Sequence, residues 1–513
     1  MPRTGRVLVI AGSDCSGGAG LEADQKTIAA HGCYAMTATT ALTAQDTTAV
    51  YDIHHVPPQF VARQIETCIK DIGQDAVKIG MLASKETAEA VARALVDNSA
   101  KNIVVDPVMV STSGGRLLPE DAVRAVTGLL VPHATVLTPN IPEAKLLAEL
   151  AEGAEPLAEI SSVDDLEKMA ARIQSLGPKW VLLKGGHLPL TKDFTVAKAG
   201  EEDRQPAIVV DVLYGEGKSI RIESPYRDSK NTHGTGCTLA SAIASNLTKE
   251  MDVPSAVFAA CRYIQPAITT APGFGKGHGP LNHFHSSFRL PFSRGFFIEY
   301  LLSRSDVKPV WDEFVYHPFV MAMGNGKLPL ESFKGYIIQD YLYLIHFARA
   351  HSLAAYKATK ASSITRSNEI VTHIFHEMKL HLEYCKSFGI SVEEIERTPE
   401  KQACTAYTRF LLDVGHSQDL LALQVALAPC TLGYGAVAKM LFNHPDTKRE
   451  GNTYWPWIQN YVAEDYVEAV RLASEQLEDE VGRQTPERVE ELVNIFIHGT
   501  KLEIGFWEMF PSQ

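Results

Sequence analysis

The alternation of short Val- and Ile-rich runs with helical patterns over the first 285 residues constrains the fold of this chain most strongly. The apolar runs lie at residues 6–11, 76–79, 103–106, 135–138 and 180–184. Such alternation is typical of parallel strands joined by crossover helices. We therefore predict an α/β fold for this half, with a mostly parallel central sheet flanked by helices.

Polar or glycine-led loops follow four of these runs, at residues 12–20, 106–109, 139–143 and 184–187. In open α/β sheets, ligands bind beyond the carboxyl ends of the strands. We expect the chemistry of this half to lie at that edge.

The second half is predicted to be all-α. A stretch rich in Gly, Pro and His at 271–285 ends the strand alternation, and the following segments have helical spacing. We place the domains at 1–288 and 289–513.

Residues 420–442 are the most apolar stretch, but Gln424, Pro429 and Lys439 interrupt it, so we expect a buried helix pair and no membrane span.

Charge and cysteine content exclude several classes of function. The formal net charge is −13 and the chain has no block of Lys and Arg, which argues against nucleic acid as a partner. The first twelve residues contain too few apolar residues for the hydrophobic segment of a secretory signal, and we predict that they form a strand. The eight cysteines form no CxxC pair, so we expect free thiols and a cytoplasmic protein.

Three motif-like segments are interpreted as structural. GEGKS at 215–219 lacks the first glycine of a phosphate loop, because Val212 stands there, and GFGKGHG at 273–279 is expected to be a domain-ending loop. His376, Glu377 and His381 form HExxxH, which is not the HExxH spacing of zinc ligands. We expect a polar helix face there, on which Glu377 and His381 pair.

Residues 231–244, NTHGTGCTLASAIA, predict an anion site. Gly234 and Gly236 expose successive N–H groups at the start of an apolar helix, where phosphate is favoured. Cys237 lies in the first turn, where the helix dipole is expected to lower its pKa, so it is a candidate base for a substrate hydroxyl. A small buried cysteine is the alternative.

Seven segments of the first half form an ordered set of motifs: GSDCSGGAGLEADQKT, ALTAQDT, VKIGML, VVDPVM, TPNIPEA, LLKGGH and NTHGTGCT. In this order they resemble the hydroxymethylpyrimidine and phosphomethylpyrimidine kinases, the ThiD branch of the ribokinase superfamily. The resemblance covers about residues 5–285. It implies that ATP phosphorylates 4-amino-5-hydroxymethyl-2-methylpyrimidine (HMP), and then its monophosphate.

The resemblance also implies site residues. Gln45 would hydrogen-bond the aminopyrimidine edge, in a pocket shaped by Gly12, Asp24 and Met81. An anion hole for the transferring phosphoryl group would be formed by Gly234, Thr235, Gly236 and Cys237. Lys184 would neutralise ATP phosphates, and Mg²⁺ would be held, through water, by Asp106, Asn140 and Glu143. Residues 192–228 form a longer segment than in compact bacterial members, and would cover the nucleotide or extend an edge of the sheet.

In the helical half, Cys430 and Tyr434 share a helix face if a helix restarts after Pro429. A cysteine that faces aromatic side chains could attack an electrophilic ring, and a packed core cysteine is the alternative. Residues 316–350, LAPC at 427–430 and LEIGFWEMF at 502–510 resemble the TenA family, thiaminase II, which has a haem-oxygenase-like helical bundle. The resemblance covers about residues 290–513, and the shared fold does not imply haem.

By this resemblance, Cys430 would be the nucleophile, Glu503 the acid/base for the leaving amine and the attacking water, and Asp340 the group that binds the ring nitrogen and amino group. The aromatic pocket would be completed by Tyr343, Tyr407, Tyr434, Tyr461 and Phe506.

Together these inferences predict a multifunctional enzyme of thiamin biosynthesis and salvage. The helical domain would release HMP from thiamin or from an aminomethylpyrimidine, and the kinase domain would convert HMP to its diphosphate. One alternative is a pyridoxal-type vitamin kinase, and another is that one domain is an inactive ligand-binding or assembly module. The partners of the predicted enzyme would be small aminopyrimidines, thiamin and ATP, and the family resemblance implies a homotetramer.

Overall fold

The computed structural model describes residues 3–109, 118–150, 160–198 and 204–512. The chain divides into two compact units, Met1–Ser287 and Phe288–Gln513.

Nine strands within the described residues of the first unit form one sheet, in the order β3-β2-β1-β4-β5-β6-β7-β8-β9. The strands are β1 (Arg6–Asp14), β2 (Tyr34–Gln45), β3 (Val50–His55), β4 (Ala76–Ile79), β5 (Ile103–Val105), β6 (Val136–Leu137), β7 (Trp180–Leu183), β8 (Ile208–Gly215) and β9 (Lys218–Pro225). Pairing is parallel from β2 through β1, β4, β5 and β6 to β7, and antiparallel for β3, β8 and β9 at the two edges. The predicted mostly parallel sheet is confirmed.

Helices cover both faces of this sheet, which explains why its central strands are mostly apolar, with the buried Lys78 of β4 as an exception. They are α1 (Gly20–Ala30), α2 (Pro58–Asp71), α3 (Lys85–Asp97), α4 (Glu120–Leu129), α5 (Ile141–Glu149), α6 (Val163–Gln174), α7 (Thr235–Leu247) and α8 (Val253–Thr269). Successive residues of β1 face two separate core clusters: Leu8 and Ile10 pack into one, Val7 and Val9 into the other.

The segment from Lys192 to Asp228 contains the hairpin of β8 and β9 at the edge of the sheet. Glu216 and Gly217 form its turn, both with positive φ, which is the geometry of a two-residue hairpin turn. GEGKS is therefore a hairpin turn, and the rejection of a phosphate loop there is confirmed.

The described part of the second unit contains helices and no strand, so the all-α prediction is confirmed. The helices are α9 (Phe297–Ser303), α10 (Lys308–Val315), α11 (Pro318–Gly324), α12 (Leu330–Lys357), α13 (Ala361–Ser387), α14 (Val392–Arg397), α15 (Gln402–Ser417), α16 (Leu420–Asn443), α17 (Trp455–Tyr461), α18 (Glu464–Val481) and α19 (Pro486–Trp507). Trp507 is fully buried and stacks on Phe314 and Phe319 at the centre of the core.

The most apolar stretch forms one continuous helix, α16, so the expected helix pair is wrong. Pro429 lies inside it and is accommodated against α19, where Gly499 leaves room for the proline ring. By length and composition α16 could cross a membrane, but 61% of its most apolar window is buried within this unit, as in the core helix of a bundle.

Candidate active sites

The first unit has a cavity of about 760 Å³ at the carboxyl ends of its central strands. Its walls come from loops that follow β1, β4, β5, β6 and β7, together with the start of α7. The predicted site residues that line it are Gly12, Gln45, Met81, Asp106, Asn140, Glu143, Lys184, Gly234, Thr235, Gly236 and Cys237. The structure thus brings together residues that are widely separated in the chain.

Asp24 is the exception among the predicted pocket residues, because it is fully buried in α1 and does not line the cavity. Its Oδ2 lies 2.8 Å from Nζ of Lys78, which does line the cavity, and its Oδ1 accepts a hydrogen bond from Ser241. Burial works against the charge of Lys78, but the Asp24 carboxylate holds the pKa of that lysine above its usual value. Asp24 therefore fixes a buried cation beneath the cavity instead of shaping the pocket wall.

Residues 232–237, the anion loop, lead into α7. Gly234 of this loop caps the N-terminus of α7 with a φ of 80°. A side chain at this position would collide with the carbonyl oxygen of Gly18, so the loop requires glycine here. Beside the loop, Nζ of Lys184 donates a hydrogen bond of 3.0 Å to Oδ1 of Asp106. The free N–H groups at the start of α7 and the lysine charge thus converge on one space.

The glycine-rich loop after β1 is organised by the carboxylate of Asp14. This carboxylate accepts hydrogen bonds from the backbone N–H groups of Ser16, Gly18 and Ala19, and Nε2 of His233 lies 2.9 Å from its Oδ2. Burial works against this charge, but the hydrogen bonds from His233 and Ser16 lower the pKa of Asp14 to about 2. Asp14 and His233 therefore join the glycine-rich loop to the anion loop.

Gln45 lies at the end of β2, with Nε2 of its side chain 3.2 Å from Nε2 of His233. The same histidine thus contacts the side chain predicted to read the pyrimidine edge, and it directly precedes Gly234. Neither His233 nor Lys78 was assigned a role from the sequence, although both lie within the motifs quoted above.

Cys237 differs from its sequence expectation. Burial raises the pKa of its thiol to about 11, and the carboxylates of Asp24 and Asp106 add to this effect, while Lys78 opposes it. The expected lowering by the helix N-terminus is therefore wrong, because removal of the thiolate from water outweighs the dipole. Cys237 is a neutral hydrogen-bonding group in this structure.

The three residues expected to hold a cation through water lie on one side of the cavity. Asn140 and Glu143 form a capping box at the start of α5: Oδ1 of Asn140 accepts from the Glu143 N–H, and Oε2 of Glu143 accepts from the Asn140 N–H. Burial raises the pKa of Glu143 to about 7, against the attraction of Lys184. The described residues contain no group of three His, Cys, Asp or Glu side chains spaced to ligate a metal directly.

The second unit has a separate cavity of about 480 Å³ among α12, α13, α16, α17 and α18. Asp340, Tyr343, Cys430, Tyr434 and Tyr461 line it. The other predicted residues form a layer behind this wall: the rings of Tyr407 and Phe506 lie 5.0 Å and 5.6 Å from that of Tyr343, and Tyr407 donates a hydrogen bond of 2.8 Å to Oε1 of Glu503.

Burial controls the charges around this second cavity. It raises the pKa of Glu503 to about 8, so this carboxyl group carries a proton at neutral pH. Burial, reinforced by Glu503, also holds the pKa of the Cys430 thiol well above its usual value. The cavity wall therefore contains the neutral thiol of Cys430 among aromatic rings, and the protonated carboxyl group of Glu503 lies in the layer behind it.

The histidine-containing helix α13 contributes to this site, so the predicted polar face is wrong for Glu377 and His381. Nε2 of His381 lies 2.7 Å from Oδ2 of Asp340, and Tyr461 donates a 2.5 Å hydrogen bond to Oε1 of Glu377. Glu377 and His381 do not pair through their side chains; Nδ1 of His381 lies 3.0 Å from the Glu377 backbone carbonyl. The remaining histidine of the motif, His376, is exposed.

Comparison with known proteins covers both units. The sequence profile of the phosphomethylpyrimidine kinase family matches residues 14–282, and that of the TENA/THI-4/PQQC family matches residues 304–511. A putative hydroxymethylpyrimidine/phosphomethylpyrimidine kinase of Schizosaccharomyces pombe is 43% identical over 502 residues, which are 98% of this chain and 90% of that protein. The chain belongs to the phosphomethylpyrimidine kinase family.

Two further relatives of this kinase align with both of its units. A hydroxymethylpyrimidine/phosphomethylpyrimidine kinase of Saccharomyces cerevisiae is 35% identical over 98% of this chain and 94% of the relative. The thiamine biosynthesis multifunctional protein ThiED of Corynebacterium efficiens is 29% identical over 99% of this chain and 69% of the relative. The resemblance drawn from the motifs is thereby confirmed for both halves, as are the ribokinase-like fold of the first and the helical TenA fold of the second.

Proposed function

We propose that the first unit of this kinase transfers the γ-phosphoryl group of ATP to the hydroxymethyl oxygen of HMP, and then a second phosphoryl group to HMP phosphate. The observation that supports this most strongly is the cavity in which Gln45, Lys184 and the N-terminus of α7 face one another. An aminopyrimidine edge, a polyphosphate and a transferring phosphoryl group each have a matching partner there.

In the proposed reaction, Gln45 and Met81 orient the ring so that its hydroxymethyl oxygen lies near Cys237. The neutral thiol holds that oxygen by a hydrogen bond and does not remove its proton in advance. This suits a loose phosphoryl-transfer transition state, in which the bond to ADP breaks before the nucleophile needs to lose its proton. The N–H groups of the anion loop and the ammonium group of Lys184 then stabilise the phosphoryl oxygens as the charge moves to ADP.

The oxygen donors of Asp106, Asn140 and Glu143 fit Mg²⁺, which prefers oxygen ligands and retains several of its waters. When bound to ATP, Mg²⁺ would neutralise charge on the β- and γ-phosphates. We propose that these three residues hold it through water, since Asn140 and Glu143 each use one oxygen in the capping box.

We propose that the second unit hydrolyses an aminomethylpyrimidine, or thiamin, to HMP. The thiol of Cys430 adds to the pyrimidine ring as its proton passes to a ring nitrogen, and the protonated carboxyl group of Glu503 donates its proton to the departing amine. The resulting carboxylate then takes a proton from water as the water attacks the exocyclic carbon, and the sulfur of Cys430 leaves and recovers its proton from the ring nitrogen. A protonated Glu503 beside a buried cysteine and an aromatic wall supports this sequence of steps.

The proposal extends to location and assembly. All eight cysteines lie within the described residues and are free, which fits a reducing cytoplasm. We propose a homotetramer, and light scattering over a range of concentrations would test it; a monomer throughout would refute it.

The test of function is mass spectrometry of the pyrimidines formed from 4-amino-5-aminomethyl-2-methylpyrimidine, ATP and Mg²⁺. HMP diphosphate is the expected product. Accumulated HMP would refute the kinase proposal, and absence of HMP in any form would refute this hydrolase substrate. Thiamin, HMP and pyridoxal are then tested separately; phosphorylation of pyridoxal in preference to HMP would favour the alternative vitamin kinase.

A further inference from the structure

His381 lies in the second cavity beside the carboxylate that is expected to bind the pyrimidine, and the reaction proposed above gives it no role. It is 4% exposed, and its two ring nitrogens have different partners. Nε2 lies 2.7 Å from Oδ2 of Asp340, and Nδ1 lies 3.0 Å from the carbonyl oxygen of Glu377. A carbonyl oxygen and a carboxylate oxygen only accept hydrogen bonds, so both contacts are satisfied together only when both ring nitrogens carry protons.

The hydrogen bonds on Asp340 are directed to one of its two oxygens. Oδ2 accepts from His381 and, at 3.3 Å, from the hydroxyl group of Tyr336. Asp340 lines the cavity, and its Oδ1 has no such partner within the described residues. His381 and Tyr336 therefore fix the rotation of the carboxylate and leave Oδ1 for a substrate N–H group.

Burial disfavours the charged form of the other titratable groups around Asp340. Burial raises the pKa of each, and they come from every helix packed around this carboxylate: Tyr336 of α12, Cys404 of α15, Cys430 and Tyr434 of α16, Tyr461 of α17, Tyr466 of α18 and Glu503 of α19. On α13 itself, burial also raises the pKa of Glu377, and His373 lies at the rim of the cavity. His381 is thus the cation in contact with Asp340. Burial works against this cation, but its hydrogen bond to Asp340 raises the pKa of His381 to about 9.

We propose that His381 is a positioning residue for the hydrolase: as an imidazolium it keeps Asp340 ionised, with Oδ1 turned toward the pyrimidine. This inference rests on the proposed hydrolase function of the second unit. It also explains why two carboxyl groups in one apolar site have different roles, Asp340 as an anion and Glu503 as an acid, because Asp340 has a cationic partner and Glu503 has none. An ionised Asp340 stabilises a protonated pyrimidine, and a protonated ring is more readily attacked by the Cys430 thiol.

The proposal predicts a specific change in pH dependence. Without the imidazolium, the Asp340 carboxylate loses the cation that contacts its Oδ2 and stabilises its charge. In His381→Gln, the acidic limb of the hydrolase kcat/KM profile is expected to move up by at least about one pH unit. KM is expected to rise about tenfold or more, with a smaller change in kcat. His376→Gln is the matched control, since it alters an exposed histidine on the same helix.

Three further measurements make the proposal falsifiable. Kinase activity of each full-length variant shows that the first unit is intact, and in an Asp340→Asn background His381→Gln should have no additional effect on hydrolysis. NMR of ¹⁵N-histidine-labelled wild-type protein at pH 7.5 should show His381 protonated at both ring nitrogens, assigned by comparison with His381→Gln. A neutral ring, an unmoved acidic limb or additive effects of the two substitutions would overturn the proposal. Absence of hydrolysis by the wild type, with the imidazolium present, would instead refute the proposed function.

Discussion

Glu503 provides the sharpest test of the hydrolase chemistry, because its role depends on a proton that burial retains. With a pKa of about 8, this carboxyl group is about 90% protonated at pH 7 and about 10% protonated at pH 9. If it donates the proton to the leaving amine, hydrolase kcat/KM should fall about tenfold per pH unit above pH 8. Glu503→Gln should remove this limb and lower kcat by about 10²–10⁴-fold, the usual contribution of a general acid.

The hydrogen bond from Tyr407 gives a second, directional test of the same group. This bond stabilises the ionised form of Glu503 and so lowers its pKa, against the larger effect of burial. Hydrogen bonds to charged groups contribute about 1.5–3 kcal/mol, or about one to two pH units. Tyr407→Phe should therefore move the alkaline limb of the hydrolase upward by about one unit or more.

Release of HMP from 4-amino-5-aminomethyl-2-methylpyrimidine, followed by chromatography across pH 6–10, measures both effects. The substrate amine also titrates, and any limb that remains in Glu503→Gln belongs to the substrate. Kinase activity of each variant is the internal control. An alkaline limb that persists unchanged in both Glu503→Gln and Tyr407→Phe would refute the assignment of Glu503 as the acid.

Three predictions concern the kinase unit. Lys184→Met should lower kinase kcat/KM by about 10²–10³-fold, comparable to removal of one oxyanion donor, and leave hydrolysis unchanged in the same preparation. Because the thiol of Cys237 has a pKa of about 11, less than about 0.1% of it is thiolate at pH 7.5. Iodoacetamide should therefore label the exposed Cys15 before Cys237. Equal labelling rates of the two cysteines in peptide mass spectrometry would contradict the raised pKa. Lys78→Met leaves Asp24 buried without its cation and should lower the free energy of unfolding of the unit by about 3–5 kcal/mol. The double variant Lys78→Met with Asp24→Leu should recover this stability in denaturant titrations. An unchanged midpoint in Lys78→Met would exclude a charged pair.

The sequence predicted strands β1 and β4 to β7, but not β2, β3, β8 and β9 toward the two edges of the sheet. Strands β1 and β4 to β7 are buried on both faces, so they form apolar runs, interrupted in β4 by Lys78. Strand β3 is largely exposed, and β9 alternates between exposed and buried residues, so their apolar signal is weak. Their pairing depends on the strand beside them, which no local pattern contains.

The site residues divide in a similar way. Loops at the ends of strands were located from the sequence because the sheet topology brings them together. The protonation of nearby helix residues was not predicted, since Asp24 of α1 and Cys237 of α7 are governed by burial from distant elements. His381 was interpreted as polar surface, although Ile374, Met378 and Cys385 around it are buried at helical spacing. That periodicity places His381 on the inward face of α13 and was the available signal.

The contact between Asp14 and His233 has a consequence for how the kinase unit matures. These residues are 219 positions apart in the chain, so the contact cannot form until nearly all of the unit has been synthesised. Closing so long a loop carries an entropic cost that only an assembled sheet offsets. A truncated or partly translated chain would therefore hold the glycine-rich loop without its anchor, and phosphoryl transfer should begin only when the last helices of the unit have folded.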